Sequence, residues 1–198
     1  MPEKKPNLIV GLGNPGDDYK DTRHNAGFMV IDSLGEKFSI AVIKKKFNIL
    51  FGRGFINNKE VVLAKPQTFM NLSGPAISRF MNYFKIPYKD LIVVHDDLDF
   101  VFGRLKIKEK GGDGGHKGIR SLNDALGKGD YTRLRVGIGR SGTNINVVNH
   151  VLGKFTSEEK DTLPLIISEA RKAVITILCN GAKKGMNKYN QKTILINS

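Results

Sequence analysis

Two stretches of the sequence, NLIVGL at residues 7–12 and LIVVHDD at residues 91–97, are rich in β-formers and almost unbroken in their apolar character. A strand with one wet face alternates apolar and polar residues. A strand that is apolar on both faces has to lie inside a sheet covered on both sides. That requirement confines the chain to a layered arrangement of sheet and helices. Residues 26–38 and 75–84 have the apolar period of helices packed on a sheet, and residues 44–66 read as two strands joined at INNKE. GRLKIKEK (103–110) alternates like a strand with one wet face, GIRSLNDALG is a short helix closed by Gly127, and TRLRVGIGR is a further strand. Residues 157–180 make the last long helix, with Pro164 as a bend. The expectation is one α/β domain over residues 1–198: a mixed β-sheet flanked by helices, with a C-terminal helix and basic tail.

Polar residues follow three of these strands. LIVGL leads to Asn14, VVLAK runs on towards Asn71, and LIVV ends in His95 and Asp96. Ligand sites of open α/β sheets gather beyond the carboxyl ends of their strands, so these side chains converge if the strands are parallel neighbours. His24, in TRHNAG, follows the first strand and can join them.

The charge is +13, from 32 Lys and Arg against 19 Asp and Glu. It is clustered: residues 104–120 carry six basic and two acidic residues, and residues 183–198 carry four lysines and no acid. Such clusters suit a polyanion, nucleic acid before membrane, where evenly spread charge would only solvate a surface. One cysteine excludes an internal disulfide and fits a reducing cytoplasm. The N-terminus has too few apolar residues for a signal peptide, and no apolar run reaches the roughly 20 residues of a membrane span.

Several motifs invite readings that their context opposes. GLGNPG matches a dinucleotide fingerprint, but a polar loop follows where a helix should open, so no dinucleotide is expected. GGDGGHKG lacks the ending of a phosphate loop. HDDLD has no second cluster of ligands to complete a metal site, so neither metal nor cofactor is expected. Cys179 lies in an apolar helix end, and Ser73 lacks a nucleophile elbow. With no nucleophile evident, water is the natural attacking group.

His24 then has two readings. It is a residue of a helix start capped by Thr22, or it is a base held neutral by the helix dipole and oriented by a carboxylate such as Asp96.

Six blocks in order, LIVGLGNPG, YKDTRHNAGF, KPQTFMNLSG, VVHDDLD, GGDGGHKGI and RLRVGIGR, resemble the bacterial peptidyl-tRNA hydrolase family from residue 8 to about 153. The resemblance implies a cytoplasmic, monomeric enzyme that cleaves the ester between a peptide and the 3′ ribose of tRNA without a cofactor. It implies His24 as general base, Asp96 as its orienting carboxylate, Asn71 as water-positioning or oxyanion donor and Asn14 as the peptide contact near the scissile bond. Tyr19 and Phe69 would line the groove for the 3′ acceptor end, and Lys108 with Arg135 would grip the 5′-phosphate. Lys117 stands where the family often has an Asn that contacts the tRNA 3′ end; a Lys donates but cannot accept a hydrogen bond. His116 is either a loop residue or part of the groove lining, and His95 is a packing residue. The alternative is a non-catalytic RNA-binding relative of the same fold.

Overall fold

The computed structural model describes residues 5–127, 129–140 and 146–191. Seven strands form one mixed sheet: β1 (Asn7–Gly11), β2 (Lys44–Lys46), β3 (Ile49–Ile56), β4 (Lys59–Pro66), β5 (Leu91–Asp97), β6 (Leu105–Lys108) and β7 (Thr132–Gly137). Their order across the sheet is β2-β3-β4-β1-β5-β7-β6. β4, β1, β5 and β7 are parallel, and the two outer strands on one side and β6 on the other run antiparallel to their neighbours.

The helices are α1 (Ala26–Lys37), α2 (Ser73–Phe84), α3 (Lys117–Leu126), α4 (Val147–Leu152), α5 (Ser157–Asn180) and α6 (Ala182–Tyr189). The unbroken apolar strands are explained by two cores. Ile9 and Val94 point into one, with α1 and α5 residues such as Ile31 and Val174. Leu8, Val10 and Val93 point into the other, with Ile77 and Phe80 of α2 and Ile119 of α3. The two-residue period of a strand sends neighbours to opposite faces, so a central strand needs apolar residues at every position. Each such side chain contributes roughly 1.5–3 kcal/mol when fully buried.

The sheet edges are closed by different means. β2 is three lysines, which blunts that edge against pairing with another chain. On the other edge Asn190 clasps β6: its Oδ1 accepts from Ile107 N at 2.7 Å and its Nδ2 donates to Ile107 O at 3.1 Å.

Residues 44–66 form three strands where the sequence reads as two. Phe47 and Asn48 both adopt left-handed backbone between β2 and β3, as Asn57 and Asn58 do between β3 and β4. Two positive-φ residues make the tight turn whose twist suits a hairpin, and the first turn lacks the usual Gly signal. The predicted helix over 157–180 is present with Pro164 inside it, capped by Thr156 and Glu159. Of the basic tail, Lys183, Lys184 and Lys188 lie on α6, and Lys192 lies outside the described residues. Among the described residues no helix is long and apolar enough to cross a membrane.

Candidate active site

The parallel neighbours β4, β1 and β5 end on one side of the sheet, which brings the polar residues after them together. Asn14 follows β1, Asn71 sits in a 3-10 turn (Met70–Leu72) after β4, and Asp96 lies near the end of β5. All three line one open groove of about 480 Å³. Side-chain bonds lock the ends to each other. Asn14 Oδ1 accepts from Met70 N at 2.8 Å, and Asn14 exchanges two hydrogen bonds with Asn25, its N donating to Oδ1 at 2.8 Å and its O accepting from Nδ2 at 3.0 Å. Since its oxygen is committed to Met70, the Asn14 amide group keeps its own donors for the groove.

His24 occupies a 3-10 turn, Arg23–Asn25, that leads into α1. The turn can approach β5 because Gly27 has no side chain: a Cβ there would lie 2.5 Å from Leu12 N and Val94 O. Thr22 does not cap through its side chain as the sequence suggests; its Oγ1 donates to Tyr19 O at 2.8 Å. His24 Nδ1 lies 2.9 and 3.0 Å from the two Asp96 oxygens. A carboxylate only accepts, so Nδ1 carries the proton and Nε2 keeps a lone pair.

A second imidazole meets the same carboxylate. His116 caps α3 with Nδ1, which accepts from Gly118 N at 3.1 Å and Ile119 N at 3.3 Å. Its proton is therefore on Nε2, which donates to Asp96 Oδ1 at 2.9 Å. Burial raises the Asp96 pKa, but the two imidazoles, whose N–H groups turn their positive ends on the carboxylate and hydrogen-bond to it, outweigh burial and hold the group well below the usual carboxylate range. His95, the packing residue, is buried with Nδ1 donating to Asp96 O at 2.7 Å. Burial, and then the neighbouring His116, push its pKa well below the ordinary value and keep it neutral.

The ligand atoms of His24, Asp96 and His116 lie within 4.8 Å of one another, close enough for a cation. Their hydrogen bonds oppose that use. A metal at His116 Nε2 would drive its proton to Nδ1 and break both bonds that cap α3. The cluster is arranged around protons.

Tyr19 and Phe69 stand on the groove in an edge-to-face pair, 6.4 Å between centroids, with Phe69 56% exposed. Val147, Val148, Val151 and Leu152 of α4 line the same groove. Lys117, the first residue of α3, also lines the groove. Lys108 and Arg135 do not; they share one face of the β6–β7 pair, on adjacent strands. Lys108 is exposed, whereas Arg135 is largely buried, with Nε donating to Asp97 Oδ2 at 2.5 Å and its guanidinium 4.6 Å from the Phe100 ring centroid. Ser73 is fully buried, and Asn57 Nδ2 lies 3.8 Å from Cys179 Sγ, remote in sequence from the groove residues.

Two residues have a larger part than the sequence suggested. His116 sits at a helix start behind a glycine-rich loop, a position that signals a cap, but His is not among the usual capping residues. Arg133 is buried and donates to Gly111 O at 2.6 Å, Gly112 O at 2.7 Å and Gly129 O at 3.0 Å, so it fixes the loop that presents His116. In TRLRVGIGR nothing local distinguishes an inward-facing arginine from a solvated one.

A sequence profile of the family described as peptidyl-tRNA hydrolase matches residues 8–196. The chain is similar to peptidyl-tRNA hydrolases from Clostridium perfringens, 48% identical over 183 residues covering 92% of this chain and 96% of the relative, and from Bacillus subtilis, 44% identical over 93% of this chain and 98% of the relative. In three dimensions it is similar to the crystal structure of peptidyl-tRNA hydrolase from Acinetobacter baumannii, with TM-score 0.89, 36% identity, and coverage of 96% of this chain and 98% of that one. Fold, groove and sequence therefore agree: the chain belongs to the peptidyl-tRNA hydrolase family.

Proposed function

We propose that the chain is a carboxylic ester hydrolase that cleaves the bond between a peptide and the 3′ ribose oxygen of tRNA, with water as nucleophile and His24 as its base. The observation that carries this reading is the bond from His24 Nδ1 to the Asp96 carboxylate, which leaves Nε2 as an acceptor. Nε2 takes a proton from water as the oxygen attacks the ester carbonyl. The imidazolium so formed is stabilised by Asp96, which stays ionised. The tetrahedral intermediate carries an oxyanion, and the amide of Asn71 is the donor assigned to it. One such donor is worth roughly 3–4 kcal/mol. As the C–O bond breaks, His24 returns the proton to the 3′ oxygen, giving tRNA with a free 3′ hydroxyl and a peptide carboxylic acid, which releases its proton to solvent as a carboxylate.

The other assignments follow from position. Asn14, whose Oδ1 is held by Met70 N, offers its amide hydrogens to the peptide near the scissile bond. Tyr19 and Phe69 give apolar faces to the acceptor end, and Lys117 adds a cation there. Lys108 and Arg135, outside the groove, suit the 5′-phosphate region, and such contacts fix register and supply salt-dependent affinity.

The test is release of N-acetyl-aminoacyl groups from tRNA by wild type and His24→Ala, with unblocked aminoacyl-tRNA as control. Cleavage of the blocked substrate should fall by about 10²–10⁴ in the variant, with tRNA binding retained. A folded wild type that binds tRNA and cleaves nothing would establish the non-catalytic RNA-binding alternative.

A further inference from the structure

Arg23 is next to His24 in sequence, but its side chain leads away from Asp96 and is 9% exposed. Nη1 donates to Lys154 O at 2.8 Å and reaches His150 O at 3.5 Å. Nη2 donates to Glu159 Oε2 at 2.5 Å, and the guanidinium lies 5.5 Å from the Phe155 ring centroid. The Arg23 backbone N–H donates to Gly153 O at 3.0 Å. These partners are the end of α4 and the start of α5. Glu159 is fixed independently, since Oε2 also accepts from Thr156 N at 2.8 Å.

The C-terminal end of α4 meets the His24 turn through the Arg23 guanidinium, the Arg23 backbone N–H and a Thr22–Lys154 bridge, and His150 of α4 also donates from Nε2 to Gly139 O at 3.0 Å. A guanidinium in this position exchanges no proton with water or His24. What it controls is where α4 stands, and α4 carries the apolar wall of Val147, Val148 and Val151 that faces the groove. We propose that Arg23 is a positioning residue that holds α4 against the His24 turn and so makes the enzyme select peptides whose C-terminal residue has an apolar side chain. The proposal rests on the ester-hydrolysis reading for its substrate. An apolar side chain beside the ester packs on the α4 wall, whereas a glycyl residue has nothing to place there. Lysine keeps the charge but cannot span two carbonyls and a carboxylate at once.

The experiment uses the full chain with Arg23→Lys, and with Glu159→Gln as a milder second variant. The same tRNA body is loaded with N-acetyl-leucine or N-acetyl-glycine, and KM and kcat are measured for each. In Arg23→Lys, KM for the leucyl substrate should rise about tenfold, as expected for loss of apolar pocket contacts. KM for the glycyl substrate should change less than about twofold, and the pH profile should keep its shape. Glu159→Gln should shift the same ratio in the same direction. Equal losses on both substrates, or an unchanged ratio, overturn the proposal. Hydrogen exchange gives a reading independent of catalysis: the amides of α4 should exchange faster in Arg23→Lys while those of α2 do not change. Unaltered α4 exchange also overturns it. A wild type that cleaves neither substrate removes the hydrolysis reading and, with it, the proposed selection, while the exchange result still decides whether Arg23 holds α4.

Discussion

Asp96 Oδ1 lies 2.9 Å from both His24 Nδ1 and His116 Nε2, so one carboxylate oxygen is shared by two imidazole donors. The two rings reach it from different elements, a 3-10 turn before α1 and the cap of α3. His116 is thus tied to stability through one nitrogen and to the site through the other. The two ties separate by substitution. In His116→Ala both are lost, and the cap alone should cost about 1 kcal/mol. Asparagine is a good N-cap but does not reach Asp96, so His116→Asn should recover most of the thermal stability. Neither variant should recover kcat/KM, which we expect to fall at least about tenfold. Thermal melts and steady-state rates on the same preparations check this; recovery of activity by Asn would confine His116 to capping.

Asp96→Asn removes the charge that stabilises an imidazolium at His24 while keeping the shape. Turnover should fall by about 10²–10⁴ and tRNA affinity should stay near wild type. The pH dependence of stability has a definite sign. The folded pKa of Asp96 lies below that of the unfolded chain, so the carboxylate stabilises the fold above the unfolded value of about 3.9. The contribution is lost as pH falls towards the folded pKa. Melting temperatures of wild type and Asp96→Asn should therefore differ by a near-constant amount from pH 5 to 8 and converge below about pH 4. A gap that closes between pH 5 and 6 would contradict it.

Asn14 holds Met70 through its oxygen and keeps its amide donors for the groove. Its Oδ1 accepts from Met70 N, a bond that an aspartate can make equally well. The amide donors cannot be replaced in that way. Asn14→Asp keeps that bond but buries a carboxylate where an amide stood, so it should melt below wild type, and it should lose about 10²–10³ in kcat/KM on N-acetyl-aminoacyl-tRNA, in the range set by one lost transition-state donor. A variant with wild-type kcat/KM would remove the Asn14 amide from the peptide contact.

The frame of this site is legible in the sequence because strands buried on both faces and their polar exits carry a strong pattern. Asn14, Asn71 and Asp96 converge once β4, β1 and β5 are parallel neighbours, and each lies just beyond or at the end of an apolar run. His116 is not legible in this way, because its partner, Asp96, is 20 residues away and its backbone role uses a residue type that seldom caps. Arg133 and Arg135 show a different limit. Both lie on the same face of β7, two residues apart, yet one bonds backbone carbonyls and the other a carboxylate. Inward-facing charge is decided by partners distant in the chain, and no local period reveals them.

Arg135 and Lys108 should behave differently although both are assigned to the 5′-phosphate region. Lys108 is exposed, so Lys108→Ala should leave stability unchanged and reduce the slope of log affinity against log salt by roughly 0.7–0.9. Removing Arg135 strands the nearly buried Asp97 carboxylate, which should cost about 3 kcal/mol. The double variant Arg135→Ala/Asp97→Asn should recover most of that stability but none of the tRNA affinity. Denaturant unfolding and salt-dependent binding of the three variants check it; a double variant no more stable than Arg135→Ala would show that the pair is not the source of the loss.

His95 gives the chain an acid sensitivity of its own. Burial first, and the adjacent His116 second, hold its folded pKa well below the ordinary value, and Nδ1 is engaged with Asp96 O. The unfolded chain takes up a proton at this residue near pH 6.5, whereas the folded chain does not. The unfolded state then binds more protons, so stability rises with pH and falls on acidification below about 6.5. One such group contributes up to about 1.4 kcal/mol per pH unit. In His95→Asn the side-chain amide can still donate to Asp96 O but does not titrate. Urea unfolding at pH 7.0 and 5.5 should therefore show a shallower loss of stability in the variant than in wild type, by an amount approaching that slope. Equal losses in the two proteins would mean that His95 titrates alike in the folded and unfolded chain.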